Sequence, residues 1–233
     1  MNGEQVARWA GAVTGAVIAG CAAYVTLAWA RYGRAHTGRH PVDELLDGFL
    51  PNPEVDEYHC LRVRAPTAIT YATAKNIDLM ATPAVRGIFW LRALPGLLRG
   101  RPFRPAGPRS ILAGTLARGW GVLAEVPDRE IVVGAYTQPW HEQVTFRSLP
   151  PDEFASFDEP GYTKIVWTLA AVPLGPHESM FVTRIRVATT DQISRRKFRR
   201  YWAPMSAGIL LIRYAILPTV RREAERTARR AQA

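Results

Sequence analysis

From Trp9 to Trp29 the chain reads WAGAVTGAVIAGCAAYVTLAW, without one charged residue. At about 1.5 Å per residue a helix of this length reaches across a hydrocarbon core of roughly 30 Å. Arg8 stands at one border, and Arg31, Arg34 and Arg39 follow the other. Trp9 and Trp29 occupy the two edges, where amphipathic rings prefer the headgroup layer. The expectation is a short flank over residues 1–8 and a transmembrane helix over residues 9–30. The basic C-terminal flank places the N-terminus outside and the rest of the chain in the cytoplasm. Two alternatives share the segment. Ile18-Ala19-Gly20-Cys21 has the form of a lipoprotein box, which would leave the protein anchored by a lipid on Cys21, and Ala28-Trp29-Ala30 has the small-x-small form of a cleavage site. The run stays apolar past Cys21 and ends in arginines, as a stop-transfer segment does, which favours the retained span. Gly11 and Gly15, continued by Ala19 and Ala23, form a small face that would let two spans approach in a homodimer. In an alanine-rich chain the same spacing also arises from composition alone.

A second long apolar pattern closes the chain. Between Asp191 and Arg230, the residues Phe198, Trp202, Met205, Ile209, Ile212, Ile216 and Val220 recur three or four apart, one stripe down a long helix. Thr190-Asp191 supplies its N-cap. Eleven Lys/Arg stand here against Asp191, Glu223 and Glu225, so most of the net charge of +10 belongs to this helix. A membrane span is disfavoured: Arg213 stops the run Ile209 to Ile212, Pro204 and Pro218 bracket it, and a span needs about 20 apolar residues. No DNA-reading module accompanies the arginines, so no nucleic-acid partner is expected. The stripe is expected to cover a sheet. Arg221, Arg222, Arg226, Arg229 and Arg230, with Arg31, Arg34 and Arg39, then face an anionic membrane surface.

Between these helices the 48% hydrophobic content is that of an ordinary globular protein. Cys21 and Cys60 lie in unrelated segments, and no disulfide framework is expected. Residues 31–54 form a polar juxtamembrane linker closed by Pro51-Asn52-Pro53. Glu57 to Val63 alternates as a strand, and Ala68 to Leu79 is helical with Thr67 as its N-cap. Ala84 to Leu98 is a second helix, and Arg99 to Arg109 a loop rich in Gly, Pro and Arg. Strand-like runs follow at Trp120 to Val126, Glu130 to Trp140, Val144 to Ser148, Tyr162 to Val172 and Phe181 to Val187. Such an order predicts an α+β domain over residues 55–230, an antiparallel sheet packed against the final helix.

The segments Arg62-Val63-Arg64-Ala65-Pro66, Glu130-Ile131-Val132-Val133-Gly134, Pro160-Gly161-Tyr162-Thr163-Lys164 and Arg184 to Asp191 before Arg199-Arg200-Tyr201-Trp202 carry a resemblance. They are similar to uncharacterised bacterial members of the START-like (SRPBCC) superfamily. The resemblance implies a helix-grip fold, a curved antiparallel sheet around a long C-terminal helix, with a cavity between them for an apolar molecule. It carries no shared catalytic signature, and fold likeness does not supply an activity.

Candidate lining for that cavity comes from the strands (Trp167, Leu169, Phe181, Thr183, Ile185), from Tyr136, and from the helix stripe (Trp202, Met205, Ile209). Each of these residue types also fills ordinary cores. Thr183 is the polar member that could orient a ligand head, while Arg184 and Arg186 alternate away from it toward solvent or headgroups. Tyr136, His141 and Glu142 form a weak acid/base candidate, for which His141 serves equally as a turn residue. His36 and His40 stand four apart in the linker without further ligands, so neither a metal nor a cofactor is expected. The chain is expected to bind a lipid or other hydrophobic small molecule at the cytoplasmic membrane surface. The alternatives are a polyketide cyclase-like or hydrolase-like enzyme using the same cavity, and a partner-binding domain with a filled core.

Overall fold

Strand-forming runs of Val, Ile and Thr separated by tight turns give this chain one antiparallel sheet. A computed structural model describes residues 3–32, 42–78, 86–87 and 110–232. The elements are α1 (Gly3–Arg31), α2 (Glu44–Phe49), β1 (Val55–Val63), α3 (Thr67–Asn76), α4 (Ile111–Leu116), β2 (Gly121–Val126) and β3 (Glu130–Thr137). They continue with β4 (Phe146–Arg147), α5 (Pro151–Ser156), β5 (Thr163–Gly175), β6 (Glu178–Thr189) and α6 (Gln192–Gln232). Strand order is β1-β6-β5-β3-β2, with β4 paired to β3. The long β5–β6 hairpin is the centre of the sheet, and β1 adds along its outer side. Two backbone positions make the turns feasible. Asp128 takes a left-handed φ of 58° between β2 and β3, which a short polar side chain tolerates. Gly119 has φ +96°, and a Cβ there would lie 2.3 Å from the Phe146 carbonyl oxygen.

Alternation divides the strands between two layers. Ile131, Val133, Trp167, Leu169 and Phe181 face inward, where Tyr71 and Ala74 of α3 and Ile216, Leu217 and Val220 of α6 cover them. Val132 and Val166 face outward beneath Leu46 and Leu50 of the α2 segment and Phe154 of α5. The outer layer was not legible in the linker sequence. Residues 42–54 pack on the sheet, and Asp43 caps α2 by accepting from the Leu46 amide at 3.1 Å.

That layer overturns the outward assignment of Arg184 and Arg186. Both are buried, because Asp56 of β1 stands opposite Arg186 and diagonal to Arg184 on the same face. Arg184 donates Nε to Asp56 Oδ1 at 2.7 Å and Nη2 to Asp56 Oδ2. Arg186 donates Nη1 to Asp47 Oδ1 at 2.6 Å and to the Leu50 carbonyl at 3.1 Å, tying α2 to the sheet. Lys164 does the same for α5: its Nζ donates to the Ala155 carbonyl at 3.0 Å and lies over the Phe154 ring.

The last helix starts where Asp191 predicts. Its carboxylate accepts from the Ser194 hydroxyl at 2.6 Å and from the amides of Ser194, Gly161 and Ile193, and these bonds hold it well below the usual carboxylate range. Glu54 joins the start of β1 to this corner by accepting from Arg195 Nε at 2.9 Å and from Thr189. The helix passes through Pro204 and Pro218 without ending. Its buried face differs from the expected stripe in the middle. Ser206 takes the inward place and Met205 is exposed, and Arg213, expected only to interrupt the apolar run, is buried. At α3, Pro66 rather than Thr67 is the N-cap, and no side chain caps it.

By length and composition, two described helices could cross a membrane: Ala12–Arg31 within α1, scarcely buried, and α6, a third buried along its apolar window. Only Arg86 and Gly87 of the helix expected over 84–98 are described. Arg34, Arg39, His36, His40 and the 99–109 loop lie outside the described residues.

Candidate ligand-binding cleft

The inner face carries two buried clusters. Trp167, Leu169, Phe181 and Val220 belong to one. Ile165, Val187, Phe198 and Trp202 belong to the other, which also takes in Ala28 and Tyr32 of the N-terminal helix. Half-buried residues border them: Ile212 packs against the first, Ile185 and Ile209 against the second, and Trp120 against both. This looser seam between sheet and α6 is the candidate cleft.

Antiparallel register builds a polar island beside it. His59 stands opposite Thr183 across β1 and β6, Glu57 opposite Ile185, and Ile185 opposite Trp167 on β5. Arg213, one helical position past Ile212, reaches down onto the same spot and is only 6% exposed. Its Nη1 donates to Thr183 Oγ1 at 3.2 Å, and Trp167 Nε1 donates to that oxygen at 2.9 Å. Burial lowers the Arg213 guanidinium to about 10, against the pull of Glu57, so it stays charged at neutral pH. Burial, and then the Arg213 charge, also push the His59 imidazole below its usual value. His59 Nε2 is buried without a partner, its ring 4.9 Å from that of Tyr214.

The end of α1 closes this edge. Tyr32 donates to Glu57 Oε1, and Arg31 lies 3.9 Å from the same carboxylate oxygen. Tyr24 shares a hydrogen bond of 2.9 Å with Ser206, Tyr32 packs edge-on against Trp202, and Arg199 donates to the Trp29 carbonyl while stacking on its ring. From Tyr24 onward one face of the N-terminal helix (Tyr24, Ala28 and then Tyr32) therefore packs on α6, whereas Val13, Val17 and Leu27 are exposed.

Of the residues nominated from sequence, Trp167, Leu169, Phe181, Thr183, Ile185, Trp202 and Ile209 share the interface between sheet and α6. Met205 points away from it, at 39% exposure. Tyr136 lies on the opposite face, because it is in phase with Val132 and not with Val133. Its ring packs 4.6 Å from Phe157 and 5.2 Å from Tyr162. There it does meet His141 and Glu142, in a cavity of about 340 Å³ that also touches Gln138, Thr145 and Arg147. Glu57, His59 and Arg213 were missed. The available signal was polar residues in phase with Leu61 and Val63 on β1, and an arginine within the apolar stretch of α6.

A third concavity, of about 470 Å³, lies on the outer face between the α2 segment and the strand ends, lined by Asp43, Tyr58, Arg129, Glu130 and Val182 among others. Burial and then Asp43 raise the Glu130 carboxyl to about 7, against Arg129. In the unfolded chain a glutamate titrates near roughly 4.3. Between those values the folded form holds a proton that the unfolded form lacks, so Glu130 costs stability as pH rises through about 7. Glu130→Gln should raise the melting temperature at pH 8 by roughly 2–4 °C after allowing for solvent screening, and leave it unchanged near pH 4. Thermal melts at the two pH values check this; equal shifts at both would refute it.

No family model and no curated protein matches the chain. Among solved structures it is similar to a hypothetical protein from Helicobacter pylori, at 7% identity and a TM-score of 0.36, over 80% of this chain and 100% of that one. It is similar to Zhui aromatase/cyclase from Streptomyces sp. R1128 at 13% identity and TM-score 0.28, over 72% of this chain and 94% of that one. A norcoclaurine synthase point mutant from Thalictrum flavum, in complex with a transition-state analogue, follows at 12% identity and TM-score 0.26, over 71% and 93%. The likeness is a distant one. None of these proteins transfers an activity to this chain.

Proposed function

We propose that this protein is a membrane-tethered binding domain that holds a lipid or other hydrophobic small molecule between its sheet and α6. The observation that carries the proposal is the set of half-buried apolar residues, Trp120, Ile185, Ile209 and Ile212, that border the two buried clusters along the sheet and α6. Apolar surface left partly in water is favourable ground for an apolar guest, at roughly 25 cal/mol per Å² removed from water. The exposed apolar part of α1 supports the tether, with residues 9–30 as the span and the domain on the cytoplasmic side. Docking of Tyr24, Trp29 and Tyr32 onto α6 would hold the cleft at the membrane surface. The arginines Arg221, Arg222, Arg226, Arg229 and Arg230, all exposed, suit an anionic headgroup layer.

Native mass spectrometry of the full chain released from nonionic detergent micelles tests this. The expected result is a one-to-one adduct with an apolar molecule, recoverable by organic extraction. A bare chain that also fails to bind an added apolar dye would sink the proposal. A reporter fused after Ala233 tests the orientation, and an exterior signal would return the anchor to Cys21.

A second activity class is favoured by one specific observation, the convergence of Tyr136, His141 and Glu142 on a single cavity. An acid/base enzyme would use it from the outer face, apart from the α6 cleft. If His141→Ala leaves turnover intact on a substrate of this protein, that reading is removed.

A further inference from the structure

The polar island beside the cleft has an unbalanced hydrogen-bond inventory. A threonine hydroxyl offers one proton and two lone pairs, and Thr183 spends both lone pairs on Trp167 Nε1 and Arg213 Nη1. Its single proton has no acceptor among the described residues. A guanidinium offers five N–H donors, and among the described residues Arg213 makes one bond, to Thr183. No carboxylate among the described residues lies within ion-pair distance of it. The charged group that acts on it is Glu57, whose carboxylate is engaged by Tyr32 and flanked by Arg31. His59 Nε2 adds another buried polar atom without a partner, directly across the strands from Thr183. The site therefore collects donors and one full positive charge, against a single imidazole acceptor on neutral His59 and a Glu57 carboxylate already engaged by Tyr32.

A buried cation left this way opposes folding, since taking it out of water is repaid only by a well-placed partner. The missing element is a negatively charged acceptor. Its surroundings decide what kind. Ile212 precedes Arg213, Ile209 lies one turn back, and Ile185 neighbours both Trp167 and Glu57, so the open side of the donor cluster adjoins the apolar seam.

We infer that Arg213 and Thr183 bind the anionic head of an amphipathic ligand, a carboxylate or phosphate whose hydrocarbon tail lies along Trp120, Ile185, Ile209 and Ile212. This rests on the cleft proposed above. One ligand oxygen accepts from the Arg213 guanidinium and another from the Thr183 hydroxyl, while Trp167 Nε1 fixes the threonine so that its proton faces the ligand. Charge-assisted bonds of this type are about twice as strong as neutral ones.

The full chain in nonionic micelles, observed by native mass spectrometry, is titrated with dodecanoate, dodecyl phosphate and dodecanol. The expected result is half-saturation by either acid at a concentration at least roughly tenfold below that of dodecanol, the cost of one lost charge-assisted pair. Arg213→Met should erase that preference and leave dodecanol binding unchanged. It should also raise the melting temperature of the ligand-free protein, because an unpaired buried charge is replaced by an apolar side chain. Arg213→Gln, which keeps a donor toward Thr183, gives the same binding comparison should the methionine variant not fold. Equal binding of acids and alcohol by the unaltered protein, or a preference that survives both substitutions, overturns the anionic subsite while leaving the apolar cleft standing. Displacement of dodecanoate by inorganic phosphate alone at equal concentration would make this a free-anion site and refute the amphiphile. If none of the three probes binds, the cleft itself fails and this inference with it.

Discussion

Asp56→Ala is expected to destabilise this protein by about 3–5 kcal/mol, the cost of leaving buried charges without their counter-ion. Asp56 is 6% exposed and is the acceptor for Arg184, which donates to both of its oxygens, with Arg186 Nε 3.3 Å away. Arg184 and Arg186 are 3% and 4% exposed, so neither can turn to water without opening the outer layer. Arg186 retains Asp47 and the Leu50 carbonyl, but Arg184 loses its bidentate carboxylate, the strongest of the groups that raise its pKa against burial. At this chain length the loss corresponds to a fall of roughly 6–20 °C in melting temperature. Urea unfolding of the full chain in nonionic micelles measures it. A loss under about 1 kcal/mol would show that the α2 layer opens readily and that these arginines are solvated. Replacing Asp56 and Arg184 together by apolar residues, with Arg186 left on Asp47 and the Leu50 carbonyl, should cost less than the single change, because both members of the buried pair are then removed.

The same pair of arginines shows where sequence was an adequate guide and where it was not. Alternation along 178–189 correctly separates Phe181, Thr183 and Ile185 from Val182, Arg184 and Arg186. What alternation cannot say is whether the second face is wet. That depends on residues 42–54, whose polar, proline-bearing sequence reads as a linker until Leu46 and Leu50 find the sheet. The succession of strands along the chain and the long last helix were legible because periodicity and turn residues are local signals. The polar island was not. It exists because β1 pairs with β6 in one register and α6 sets Arg213 over Thr183, and both are long-range facts. Taken singly, an arginine in an apolar stripe reads as an interruption. Set over a threonine whose lone pairs are full, it reads as a binding group.

Whether Phe181 and Ile209 belong to a core or to a cleft has a measurable consequence. Phe181 is 0% exposed and sits among Leu169, Ala171 and Val220, so Phe181→Ala should cost about 3–5 kcal/mol, the transfer of a ring plus the void it leaves. That loss should be the same with and without an apolar probe, because the ring supports the fold and not the guest. Ile209 is half-buried at the seam, so Ile209→Ala removes fewer packed contacts and should cost under about 2 kcal/mol. Its effect on the probe should be larger than its effect on the fold, with dodecanol and dodecanoate weakened by a similar factor, since the tail and not the head meets this side chain. Urea midpoints measured in parallel with probe titrations separate the two roles. Equal stability losses at both positions, with no weakening of either probe at Ile209, would mean that the seam is filled core. The hydrocarbon of any ligand would then have to lie somewhere other than between the sheet and α6.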